Sequence, residues 1–360
     1  MPETKSAMTD KERVEALLRR ERPDRVPIAG MGLGFSTVYS RASVADCYNN
    51  PPVSYEAQKK AAHDFGWVFM PLLVSPAWVA WEMGGEMKWP SGDYAQAPTV
   101  TRHPVEKPED VANLKVPDSF EGLGMVPYLM EFYSYGAKEE LDNKPWKFIS
   151  YTGLPFTNAG KLIGVDSLSK WMLKKPDIVH QVLRITTDFL IKFSEYVAGK
   201  FGTDRVLPFG GEPTSANQII SPDQFEKFAL PYIQEMHAKL LAMGHKSIFC
   251  HICGEHNLNL PHWAKIPMGD PGLVSFGHEI DIEKAAEYFP NDIIVGNLEP
   301  AIVQTGTVDE VYNATRKIIE KGKNLSTGFI FAPGCELPPM ASPDNVMAMT
   351  RAVEDFGWYD

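Results

Sequence analysis

Short apolar segments recur along this chain, each followed by a longer stretch of helical periodicity, and that alternation limits the fold more than any other feature of the sequence. Eight segments read as strands, at residues 26–31, 67–73, 147–151, 206–210, 247–253, 273–276, 293–295 and 328–332. Strands that alternate with helices form a mainly parallel sheet, because a parallel neighbour can only be reached by a crossover. Eight such units point to an α/β fold of the (β/α)₈ barrel type, where reacting groups gather at the C-terminal ends of the strands. Between the strands, Ser221-Pro222-Asp223-Gln224 combines a capping serine, a proline at the first helical position and a capping-box glutamine. The apolar stripe behind it (Phe225, Phe228, Ala229, Tyr232, Ile233, Met236, Leu240) runs to Gly244 and is expected to be core. A second box, Thr307-Val308-Asp309-Glu310, opens a helix to about Lys321. Residues 73–118, with Trp78, Trp81, Trp89 and many prolines, break the alternation and read as an insertion after the second strand, either lid-like or a plain surface embellishment and with room for a hairpin, within a single barrel domain of residues 1–360.

Of the 360 residues, 44% are hydrophobic and 22% charged, an ordinary balance for a soluble globular chain. Four cysteines are too few for a disulfide scaffold, and the charged opening of residues 1–20 does not resemble a secretory leader. No apolar run reaches about 18 residues, so no membrane span is expected. A reducing cytoplasm is the expected compartment. The net charge of −11 argues against non-specific nucleic-acid binding, and it suits a protein partner with a basic face.

The chemistry-bearing pattern is His251-Ile252-Cys253-Gly254, with Cys335 in Ala332-Pro333-Gly334-Cys335. Residues two apart on a strand share a face, so His251 and Cys253 can grip one ion while Cys250 turns away. One imidazole and two thiolates fill three of zinc's four positions, and three protein ligands with an open fourth is how catalytic zinc is held. Buried cysteines and a hydrogen-bonded histidine at a strand end are the plainer alternative. A redox pair Cys250-x-x-Cys253 requires both sulfurs on one side, which a strand forbids. Glu212, in Gly210-Gly211-Glu212-Pro213, and Glu299, in Gly296-Asn297-Leu298-Glu299-Pro300, also fall at strand ends and are the candidate catalytic carboxylates, although either suits an ordinary place at a barrel mouth. Tyr151 and Asn297 are candidates for orienting substrate; His256, His262 and His278 are not expected to be ligands. The glycines of residues 29–35 lack the spacing of a dinucleotide loop.

These motifs, with Arg22-Pro23-Asp24-Arg25-Val26-Pro27, Ile220-Ser221-Pro222 and Phe228-Ala229-Leu230-Pro231-Tyr232, resemble the uroporphyrinogen decarboxylase superfamily over most of the chain. Within it, the His-x-Cys and Gly-Cys pair is similar to the zinc motif of the methyltransferases that work with corrinoid proteins. The decarboxylases carry an Arg-Gln-Ala-Gly-Arg segment after the first strand, and this chain has Ala29-Gly30-Met31-Gly32-Leu33 there, without the counter-charges a polycarboxylate needs. The resemblance implies a zinc-dependent methyltransferase moving a methyl group between a small substrate and cobalt, with zinc as Lewis acid toward a departing oxygen or a thiol. His251 echoes half of a cobalt-ligating Asp-x-His-x-x-Gly motif, but Phe249 stands where the aspartate belongs, so the corrinoid is expected on a partner protein. A methyl ether such as a methoxylated aromatic is the favoured substrate, on the strength of Trp67, Trp78, Trp81, Trp89 and Trp146 as wall material. Transfer from methylcorrinoid to a thiol of the coenzyme M kind, decarboxylation of a small carboxylate, and a non-catalytic corrinoid-protein binding module are the alternatives.

Overall fold

In a computed structural model describing residues 8–91, 97–140 and 144–359, an antiparallel hairpin, β1 (Glu86–Lys88) with β2 (Thr99–Arg102), stands apart from a six-stranded parallel sheet. The sheet runs in chain order through β3 (Phe148–Tyr151), β4 (Val206–Gly211), β5 (Phe249–Ile252), β6 (Leu273–Phe276), β7 (Ile293–Leu298) and β8 (Phe329–Pro333). Helices fill every crossover, and this is the expected TIM-barrel architecture.

The first two expected strands are not regular ones. Residues 26–31 touch β8 through a parallel bridge of Ile28 with Phe331, and residues 67–73 touch β3 through a bridge of Leu72 with Ile149. Val68 N donates to Ile28 O at 2.8 Å, so the two segments also meet each other. Proline limits them to single bridges: Pro27 and Pro71 accept from Phe331 N and Ile149 N, at 3.0 and 2.8 Å, but have no N–H to return. The strand expected at 247–253 is shorter, because Ser247 pairs instead with Gly269 in an isolated antiparallel bridge.

Proline also punctuates the helices, standing in the first turn of Pro51–Asp64, Pro155–Ile163, Pro176–Phe201, Pro300–Thr305 and Pro343–Phe356. Both expected capping boxes form, at Ser221 and at Thr307. The helix after Ser221 is not uniform, since Phe225–Ala229 winds as a π segment between Pro222–Gln224 and Leu230–Ala242. Phe225, Phe228, Ala229, Ile233, Met236 and Leu240 of its stripe are buried, and Tyr232 is partly so.

Within the irregular stretch of 73–118 lie the helix Trp78–Glu82, the hairpin and a 3₁₀ turn at Pro108–Asn113, while residues 92–96 fall outside the described residues. Trp78 anchors the stretch, fully buried against Phe189 and Phe193 and donating Nε1 to Thr152 O at 3.3 Å. Among the described residues no helix is long and apolar enough to cross a membrane.

Candidate metal centre

Alternation along β3, β4 and β5 decides what faces the barrel interior. Ile149 and Tyr151, Phe209 and Gly211, and Phe249, His251 and Cys253 all line one cavity, whereas Cys250 and Ile252 are buried away from it. The redox pairing of Cys250 with Cys253 therefore has no geometry to support it. The cavity holds about 250 Å³ and is closed by Met31, Trp67, Val68, Met70 and Pro76 from the irregular segments and by Cys335 and Glu336 beyond β8. That is near the lower end for ligand pockets, so it suits a small molecule.

His251, Cys253 and Cys335 converge, with their ligand atoms all within 4.8 Å of one another, and they are the only such group of three among the described residues. Register supplies the support: His251 pairs with Ser275 across β5 and β6, which sets the two side chains on one face, and His251 Nδ1 meets Ser275 Oγ at 2.9 Å. If Nδ1 carries the proton and donates to that hydroxyl, Nε2 keeps its lone pair for a metal. Nε2 is buried and has no hydrogen-bond partner, which is costly in a protein interior unless something else satisfies it. Cys253 Sγ and Cys335 Sγ lie 3.7 Å apart. A tetrahedral ion with Zn–S bonds of about 2.3 Å holds two sulfurs about 3.8 Å apart, so the pair is already spaced for it. Their mutual hydrogen bond, helped by the nearby His251, draws the Cys335 thiol down, and the same bond together with burial pushes Cys253 up. The donor set fits zinc.

The other expected site residues divide. Tyr151 is on the cavity wall, and its hydroxyl has no hydrogen-bond partner among the described residues. Glu212 is fully buried but stands outside the metal-ligand group; its carboxyl accepts from the Thr157 hydroxyl and from Thr157 N at 3.2 Å, in the first turn of Pro155–Ile163. Burial pushes that carboxyl up to about 8. Its backbone ties the site together, with N donating to His251 O at 3.1 Å and O meeting His256 Nε2 at 3.3 Å. Glu299 is half exposed at the rim, 4.0 Å from His278. Asn297 is buried off the cavity wall and spends its amide on Gly277 O and Ile280 O at 3.0 and 2.6 Å. His256, held by Asn259 and Trp263, and His262 and His278 stay out of the metal group. Of the tryptophans expected to wall the pocket, only Trp67 does so.

Three residues escaped the sequence reading. Ser275 depends on register, which no local pattern reveals. Glu336 follows Cys335, accepts from Gly34 N at 3.0 Å, and has its carboxyl pushed up to about 7 by burial. Lys161 lines the cavity from a helix whose other residues are all buried.

A sequence model of uroporphyrinogen decarboxylase (URO-D) matches residues 9–356. Over 268 residues the chain is 26% identical to a methylcobamide:CoM methyltransferase of Methanosarcina acetivorans, covering 74% of each. Over 283 residues it is 26% identical to a methylated-thiol–coenzyme M methyltransferase of Methanosarcina mazei, covering 76% of this chain and 68% of that one. A uroporphyrinogen decarboxylase of Xylella fastidiosa is also 26% identical over 264 residues, 70% of this chain and 71% of the relative. In structure, a methyltransferase from Methanosarcina mazei superposes with a TM-score of 0.81 at 23% identity, covering 97% of this chain and 99% of the other, which speaks for the fold.

Proposed function

The chain belongs to the uroporphyrinogen decarboxylase family, and on that footing we propose that it is a zinc-dependent methyltransferase passing a methyl group from the cobalt of a separate corrinoid protein to a small thiol. The observation that carries the reading is the orphaned His251 Nε2 beside two sulfurs at tetrahedral spacing, opening onto a small cavity. Zinc bound there would supply Lewis acidity, favouring the thiolate form of a thiol near neutral pH. The protein's own groups do the rest. Ser275 fixes the imidazole, the Phe209, Phe249 and Met31 walls exclude water from the nucleophile, and Tyr151 offers the substrate a hydroxyl. Glu212 enters as a positioning residue, because its carboxyl fastens the helix at Thr157 while its backbone fastens β5 at His251. Glu299 takes no part in holding the thiol in this reading, and Asn297 acts by tying the loop after β6.

A thiol stands ahead of a methyl ether because relatives at 26% identity are methyltransferases acting on coenzyme M, while the aromatic lining of Trp67, Phe69, Phe209, Phe249 and Tyr151 suits either substrate. Decarboxylation of a polycarboxylate is disfavoured by a cavity with one lysine and no arginine.

The test is elemental analysis beside Cys335→Ser, followed by thiol methylation from methylcob(III)alamin. About one zinc per chain, lost in the variant together with turnover, is the expected result. Metal-free wild-type protein, purified without chelator, overturns it.

A further inference from the structure

One cation on the cavity wall is unused by the metal chemistry. Lys161 lies one helical turn beyond Thr157, and both residues line the cavity. Its backbone carbonyl is engaged by His103 Nδ1 at 2.7 Å, but among the described residues no carboxylate or carbonyl accepts from its ammonium. Burial alone pushes its pKa down, with no neighbouring acid to offset it. The contrast with Lys144 is instructive, since that buried ammonium is satisfied by Glu139, Tyr55 and Gly136 O. A half-buried lysine without a counter-charge costs energy, and a ligand of opposite charge removes the cost.

The other polar groups on the wall are committed. Gln58 exchanges hydrogen bonds with the Leu72 backbone, Ser36 donates to Gly32 O, and Thr157 holds Glu212. Toward the cavity there remain the Lys161 ammonium, the Tyr151 hydroxyl, the unpartnered Trp67 Nε1 and the metal-ligand candidates, together with the Glu336 carboxyl, which accepts from Gly34 N and is pushed up to about 7 by burial. Donors and a sulfur-seeking centre within one small space define a ligand with two different ends.

We propose that Lys161, with Tyr151 as second donor, reads a sulfonate or carboxylate on the substrate while the sulfur lies at His251, Cys253 and Cys335. This rests on the thiol-methyltransferase reading. Lys161 is then the residue that selects short anionic thiols over neutral ones of the same length.

The experiment compares wild type, Lys161→Met and Lys161→Arg with 2-mercaptoethanesulfonate, 3-mercaptopropionate and 2-mercaptoethanol, using methylcob(III)alamin as donor and recording zinc content. Loss of one partner of a desolvated charge pair predicts a rise of about thirtyfold or more in KM for the anionic thiols in Lys161→Met. The neutral thiol should change less than about twofold, zinc should stay bound, and Lys161→Arg should recover part of the loss. The ranking of sulfonate against carboxylate in wild type identifies the anion. Equal effects on charged and neutral thiols, or none on either, overturn the assignment. Calorimetric titration with ethanesulfonate and propionate separates this from the reaction itself. If wild type methylates no thiol, the methyltransferase reading falls; anion binding that disappears in Lys161→Met then sustains the role of Lys161, and absence of binding overturns it.

Discussion

Ser275→Ala isolates what the protein contributes to the metal site beyond its ligands. Ser275 is fully buried in β6, its Oγ lies 2.9 Å from His251 Nδ1, and removing the hydroxyl leaves that nitrogen facing a methyl group. No water route replaces the bond at so buried a position, so the imidazole loses both its tautomer preference and its orientation. Loss of such an outer partner costs metal sites about 10- to 100-fold in affinity, or about 1.4–2.7 kcal/mol. Full burial places the expected value toward the upper end. The same deletion in metal-free protein removes one neutral hydrogen bond, worth about 1 kcal/mol of stability. The assay is competition for zinc against a chromophoric chelator, run beside thermal unfolding of the metal-free forms. Zinc affinity should fall by more than the apoprotein destabilisation accounts for. An unchanged zinc affinity in a folded Ser275→Ala protein refutes the argument that β5–β6 register prepares His251 for metal.

Three further outcomes follow from the packing. A Cβ at Gly30 would stand 2.1 Å from the Trp67 ring, so Gly30→Ala should cost about 1–3 kcal/mol, seen as a lowered unfolding temperature, and should displace the tryptophan that walls the cavity while leaving zinc bound. Glu82, whose carboxyl accepts from Met125 N at 2.6 Å, is pushed up to about 7 by burial. Between its ordinary value and about 7 the folded chain holds a proton that the unfolded chain has shed, so stability falls as pH rises through that window, by at most about 3 kcal/mol. Denaturation at pH 5 and pH 8 should show a smaller difference in Glu82→Gln than in wild type, and an identical difference sinks the assignment. Asn297→Ala should lose about 2–3 kcal/mol by stranding the buried Gly277 and Ile280 carbonyls, with little change in KM for the thiol. A raised KM without lost stability would instead make Asn297 a substrate contact.

The convergence of His251, Cys253 and Cys335 is legible in the sequence because its geometry is local. Two-residue alternation places His251 and Cys253 together, and Cys335 follows an apolar strand ended by Pro333-Gly334. What lay hidden depends on distant partners. Ser275 is one serine in an apolar strand until the β5–β6 register is known. Lys161 is one lysine among many until its helix is seen to bury nearly all its faces. Glu212 was placed correctly at the end of β4, yet only the neighbouring helix shows that its carboxyl turns to Thr157. The first two staves were legible as apolar segments and illegible as irregular ones, since their lost ladder bonds trace to Pro27 and Pro71 and to partners on β8 and β3.

The metal centre and the barrel impose conditions on each other. Cys253 and Cys335 end strands separated by two others, in the order β5-β6-β7-β8. In a flat sheet those three steps of about 4.8 Å would hold the strands about 14 Å apart, beyond the reach of two cysteine side chains. Their sulfurs nevertheless lie 3.7 Å apart, because the sheet curls and turns the ends of β5 and β8 toward a common centre. An ion bound by these residues would clasp the barrel mouth, and its binding energy would be linked to the curvature that creates the cavity. This coupling explains why the cavity, the orphaned imidazole nitrogen and the free lysine occur at one place. The unpartnered imidazole nitrogen and the lysine without a counter-charge each carry a desolvation cost that a metal ion and an anion, as proposed above, would relieve.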